Sequence, residues 1–263
     1  MMAYISSSLR LEMADRIRSS MKRCLMSTAF IEYCIENANQ KVLDFLDQAF
    51  VEEASRREAR RTANMLATAG FPTMKSLSDY DFSELKMPPS MALGQMLDLS
   101  FIDAKQNLIM YGVCGSGKTM LSICLGIKAC QQQRKVRFLT LSQLAMRLRT
   151  AASEGRLEYC LAGFRNLDLL VIDEWGYCEL DKESAGYVFQ AISDSYESKS
   201  LIVTTNLPFS EWGRIVADKQ LAAAIIDRIV HYGHLIDCGS KDWRLASSPM
   251  NRQTITSKRK EVI

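Results

Sequence analysis

Histidine is nearly missing from this 263-residue chain. His231 and His234 are the whole supply, and with no cysteine or carboxylate at ligand spacing around them a zinc site is not expected. No apolar run approaches the roughly 18 residues that a membrane span requires, so the chain reads as soluble. Net charge is scarce as well. A formal +3, from 33 basic and 30 acidic side chains, is too small to argue for a nucleic-acid partner, and any such claim must rest on where the charges lie. The eight cysteines include no C-x-x-C pair, sit mostly in apolar periodic segments and follow no secretory leader. They are expected to be reduced thiols in a cytoplasmic protein. Low-complexity tracts, internal repeats, helix-turn-helix and zinc-finger patterns are also lacking.

What is present is a core. At 48% hydrophobic content the chain is not disordered, and its length allows one good-sized domain and a smaller one. The pattern is organised around Asn107 to Met120, where the apolar run Leu108 to Tyr111 breaks into Gly112-Val113-Cys114-Gly115-Ser116-Gly117-Lys118-Thr119. This fits G-x-x-x-x-G-K-[ST] position by position, the signature of a P-loop. A polyphosphate needs many donors and no obstructing side chains, so Gly112, Gly115 and Gly117 let the backbone N–H groups converge. The helix expected from Lys118 adds its positive end. Lys118 is placed to reach the β- and γ-phosphates as a point charge, and the Thr119 hydroxyl to hold Mg²⁺.

Residues 1 to about 70 read as helix, with apolar residues at helical spacing and no strand signal, until Gly70 and Pro72 stop the run. Arg56, Arg57, Arg60 and Arg61 share one helical face. They suit nucleic-acid phosphates, and equally a solvated face paired with Glu52, Glu53 and Glu58. Prolines, serines and isolated aromatics between Phe71 and Pro89 mark a linker. The expected organisation is a helical domain over 1–75, a linker over 76–90, a nucleotide-binding domain over 91–248 and a basic tail over 249–263. In the third segment continuous apolar runs at 107–111, 136–140, 168–172, 201–205 and 234–238 alternate with helical patterns. They predict an α/β fold with a parallel sheet of five strands wrapped by helices.

Ligands gather at the carboxyl ends of such strands. After the third run stand Asp173 and Glu174, an expensive way to end a buried strand unless a cation offsets the charge. Asp173 is the candidate Mg²⁺ holder and Glu174 the candidate base that polarises water, a pair that argues against a small-molecule kinase. Asn206, after the fourth run, suits contact with the γ-phosphate or the water, and is also ordinary turn chemistry. Arg228 lies late in an apolar helix. It is either a dipole or salt-bridge partner there, or a finger that reaches a neighbouring subunit's γ-phosphate.

Taken together, GVCGSGKT, DLLVIDEWGYCELD, SYESKSLIVTTNLPFSEW and LAAAIIDRIVHYGHLI, in that order, resemble the IstB-type transposition helper ATPases, a branch of the AAA+ proteins close to DnaC-type helicase loaders. The resemblance covers almost the whole chain, apart from the first 25 and last 15 residues. It implies a P-loop AAA+ core after a small all-α domain, and an ATPase that assembles as a homo-oligomer on duplex DNA and assists a transposase. The alternative client is a replicative helicase. It further implies Gly112 to Met120 as the nucleotide-binding loop, Asp173 and Glu174 as the acidic pair, Asn206 as sensor, Arg228 as finger and Arg244 as a second basic contact to the nucleotide. DNA contact is implied for Arg56, Arg57, Arg60 and Arg61, and for Arg147, Arg149 and Arg156. Two departures stand out. Val113-Cys114 replaces the usual prolines and puts an oxidisable thiol beside the phosphates, and Trp175 replaces the usual leucine after the acidic pair.

Overall fold

A computed structural model describes residues 7–216 and 218–247; the expected tail, 249–263, and the first six residues lie outside the described residues. By its contacts the chain forms two compact units that join between Asn64 and Met65.

The first unit is helical, as its periodicity predicts. It contains α1 (Ser7–Arg23), α2 (Thr28–Asn37) and most of α3 (Gln40–Ala69). Ser27 caps α2 by accepting from the Phe30 amide, and Gly70 ends α3 at φ +85°. Ile17, Met21, Ile31 and Leu43 form its core. Three helices can enclose only one stripe each, so Tyr33, Val42 and Phe45 keep their helical spacing yet stay exposed.

The second unit carries the sheet. Its strands are β1 (Asn107–Tyr111), β2 (Val136–Thr140), β3 (Leu169–Trp175), β4 (Ser200–Thr205) and β5 (Gly233–Asp237). They lie in the order β2-β3-β4-β1-β5 and all pair in parallel. All five predicted runs are strands, and the third extends three residues further than its apolar stretch, taking in Asp173 and Glu174. The sheet is buried on both faces. Residues of α7 (Leu141–Ser153), α8 (Leu157–Arg165), α9 (Lys182–Ser193) and α10 (Lys219–Val230) form one core with Leu170, Ile172, Leu201 and Val203. On the other face Leu108, Met110, Val171 and Ile202 pack with α6 (Lys118–Gln131), α4 (Leu93–Asp98) and α5 (Ser100–Asp103). A short helix, α11 (Trp243–Ser247), follows β5.

The stretch expected to be a linker is packed against this second core. Phe71, Leu77, Tyr80, Phe82, Leu85 and Met87 are partly buried on it, and Lys86 and Asp237 exchange backbone hydrogen bonds at 2.8 and 3.1 Å.

Candidate functional site

The loop between β1 and α6 is wound tightly. Gly115 and Gly117 have φ of +79° and +92°. A Cβ on Gly115 would lie 1.9 Å from Asp242 Oδ1, and one on Gly117 would lie 3.0 Å from the Tyr80 ring. Only glycine therefore fits either place. Gly117 is the N-cap of α6, so the free amides of the first helical turn open onto the loop. Trp243 N–H donates to Gly115 O at 3.0 Å, which ties the start of α11 to the loop.

Lys118 folds over this loop, with Nζ donating to Gly112 O at 2.8 Å and Val113 O at 2.7 Å. Burial holds its pKa below the ordinary lysine value; Cys238, Cys114 and Asp173 oppose that shift, and the charge of Arg244 adds to it. Thr119 Oγ1 donates to Asp173 at 3.0 Å (Oδ1) and 3.1 Å (Oδ2). A hydroxyl and a buried carboxylate converging from α6 and β3 are hard oxygen donors of the kind Mg²⁺ takes.

A pocket of about 520 Å³ collects Gly115, Gly117, Lys118, Thr119, Met120, Glu174 and Arg244. Asp173 lies behind Thr119. Asn206 closes in from β4, its Nδ2 3.9 Å from Cys114 Sγ. Its Oδ1 is buried without a hydrogen-bond partner among the described residues, an acceptor suited to a proton of water. Cys114 is exposed, and its Sγ lies 2.9 Å from Tyr177 Oη, a contact that with burial pushes the Tyr177 phenol up to about 12. The pocket also contains residues that sequence reasoning passed over. Pro72, Thr73 and Lys75 line it from the stretch read as a linker, together with Ile123. Nothing in their local pattern signals this, since the turn composition that marked them as a connection is shared by any loop.

Arg228 is elsewhere. It lines a narrow recess with Lys105, Asn107 and Leu201, at the amino ends of β1 and β4. The P-loop follows the carboxyl end of β1, and five residues of strand span roughly 16 Å. The Arg228 guanidinium stacks over Phe189 at 4.6 Å and donates to Ala224 O at 3.1 Å, so it does not serve its own chain's loop.

The arginines matched to DNA contact fall into two sets. Arg56 and Arg57 pair with Glu52 and Glu53 at 2.9 and 2.6 Å, while Arg60 and Arg61 are exposed. In the second unit Arg147 stacks on Phe164, Arg149 pairs with Asp181 at 3.4 Å and Arg156 pairs with Glu154. With Arg137, Arg147 and Arg156 line an open groove of about 930 Å³ beside β2.

A glycine-wound loop capped by a helix, an acidic pair two strands away and a polar residue on the strand between them define a P-loop nucleotide-binding protein. The chain belongs to the IstB-like ATP binding protein family, whose model matches residues 19–250. It is 34% identical over 226 residues to a protein of insertion sequence IS5376 from Geobacillus stearothermophilus named for ATP binding, covering 86% of this chain and 90% of that one. A counterpart from insertion sequence IS21 of Pseudomonas aeruginosa is 33% identical over 218 residues, 82% of each chain. Among solved structures, the crystal structure of the DnaI aligns at 16% identity with a TM-score of 0.49, over 68% of this chain and 92% of that one.

Proposed function

We propose that this protein is a Mg²⁺-dependent ATPase that assembles on duplex DNA, hydrolyses ATP between neighbouring copies and assists a partner transposase. The observation that carries the reading is the division of labour in the acidic pair: Asp173 is buried and bonded to Thr119, while Glu174, next in sequence, is exposed and lines the nucleotide pocket. One carboxylate is thus suited to hold a cation and the other to take a proton. The relatives named for ATP binding belong to insertion sequences, which supports a role in transposition.

In this reading the loop amides and Lys118 bind the phosphates, and Thr119 and Asp173 hold Mg²⁺. The ion, when bound, neutralises charge that develops on the phosphate oxygens. Glu174 draws a proton from the attacking water and Asn206 fixes that water's position. Arg228 sits too far from its own loop and serves the site of the adjacent copy, where it stabilises transition-state charge. Arg244 from α11 lies at the same pocket as a second basic contact. Arg56, Arg57, Arg60 and Arg61, with Arg147, Arg149 and Arg156, contact DNA phosphates, so binding weakens steeply with salt.

The deciding experiment is ATP turnover with and without duplex DNA. Stimulation by DNA, lost in Lys118→Ala and in Glu174→Gln, is expected. Turnover indifferent to DNA sinks the DNA-bound reading, and co-purification of a replicative helicase instead of a transposase decides for a helicase loader.

A further inference from the structure

Resting on the ATPase reading above, we infer that Thr204 is a positioning residue: its one hydroxyl sets Asp173 and Glu174 into their separate roles. The register of β3 against β4 is the first reason. Leu169 pairs with Ser200, and so on in step to Ile172 with Val203, but the next pair is Trp175 with Thr205. Two residues, Asp173 and Glu174, thus oppose the single residue Thr204, which is a β-bulge.

Its effect is visible in the faces. Val171 points to the α6 side and Ile172 to the opposite core. Strict alternation would then send Asp173 to the α6 side, Glu174 into the core beside Ile172, and Trp175 back to the α6 side. The bulge changes this outcome. Asp173 still meets Thr119 of α6, but Glu174 takes φ +59° and is exposed, and Trp175 joins Ile172 in the other core. A left-handed backbone at glutamate needs a contact to hold it.

Thr204 supplies that contact. The Glu174 amide donates to Thr204 Oγ1 at 3.1 Å, and Thr204 Oγ1 donates to Asp173 Oδ1. A hydroxyl has one proton to give and lone pairs to receive, and both functions are used here. Thr204 is 2% exposed, so water does not replace it. The neighbouring Thr205 plays a different part. Its hydroxyl donates to Trp175 O at 2.8 Å and accepts from the Leu207 amide at 3.0 Å, touching neither acid.

The test compares wild type with Thr204→Val, which keeps the shape and loses the hydroxyl, and Thr204→Ser, which keeps the hydroxyl. The first readout needs no catalysis. By amide hydrogen exchange, the Glu174 N–H is protected in wild type and Thr204→Ser and exposed in Thr204→Val. Fast exchange in the wild-type protein overturns the inference whether or not Thr204→Val folds. The second readout is kinetic. Thr204→Val lowers kcat by about 10- to 100-fold, the usual cost of losing a group that orients a catalytic side chain, with KM for ATP unchanged and with rescue by Thr204→Ser. Equal turnover in Thr204→Val overturns the positioning role alone. A wild type that shows no turnover overturns the ATPase reading, and the exchange measurement then still decides whether Thr204 holds the bulge.

Discussion

The indole rings of Trp175 and Trp212 pack 5.3 Å apart at 40°, and each residue is 1% exposed. The pair fastens the end of β3, just past the acidic residues, to the turn that follows Asn206. Trp212 also donates its Nε1 proton to Leu207 O at 3.2 Å and touches Phe209, with ring centroids 4.9 Å apart.

Because that side chain fills a closed core and makes a half-buried hydrogen bond, Trp212→Ala is expected to cost about 3–5 kcal/mol of unfolding free energy. Urea unfolding with an unchanged slope and a lower midpoint would show it. A loss below about 1 kcal/mol would mean that the pair does not anchor the turn.

Lys118 gives a pH dependence. Its pKa is held down by burial, and bound phosphate favours the charged form. The charged lysine is the binding form, so affinity for ATP is full below its pKa in the free protein and declines as pH rises through that value. The decline is about tenfold per pH unit and ends at the higher pKa that Lys118 has with ATP bound. Calorimetric titration across the alkaline range measures this. An affinity that is flat with pH would contradict the role given to Lys118.

Arg228→Ala is expected to bind ATP normally and to lose turnover by a factor on the order of 10³ or more. Mixing it with Glu174→Gln should restore part of the activity, since each copy supplies the group its neighbour lacks. No recovery on mixing, or full turnover by a monomer, would show that Arg228 is only the Phe189-stacked residue seen within one chain.

Lys199 is a fully buried amine whose pKa is lowered to about 8, chiefly by desolvation. The unfolded chain therefore binds its proton more tightly, and this group's penalty on stability is complete below pH 8 and fades between about pH 8 and about 10.4. Lys199 Nζ donates to Phe164 O at 2.8 Å, but that carbonyl also accepts from the Leu167 amide at 3.1 Å and would not be orphaned. Lys199→Met should thus raise stability at pH 7 by about 1–3 kcal/mol, and by less at pH 10. Equal stability of the two proteins at pH 7 would refute the desolvation argument.

Much of this molecule is legible in one dimension. The loop from Gly112 to Thr119 can be read directly because its chemistry is local, a run of glycines, a lysine and a hydroxyl within eight positions. The strands at Asn107–Tyr111 and Val136–Thr140 begin and end where their apolar runs do. The third run misleads by three residues, because a bulge held by Thr204 lets Asp173 and Glu174 remain in a strand that alternation alone would have ended.

The sequence by itself determined the parallel sheet, the helical first unit and the glycine-wound loop ahead of α6, since periodicity and glycine placement act over a few neighbouring residues. Only the tertiary structure decided that Glu174 opens to the pocket while Asp173 is buried, that Pro72, Thr73 and Lys75 wall that pocket, and that Arg228 lies at the far end of the sheet. Each of those depends on which strand lies beside which and in what register, a relation between residues tens of positions apart that no local pattern encodes.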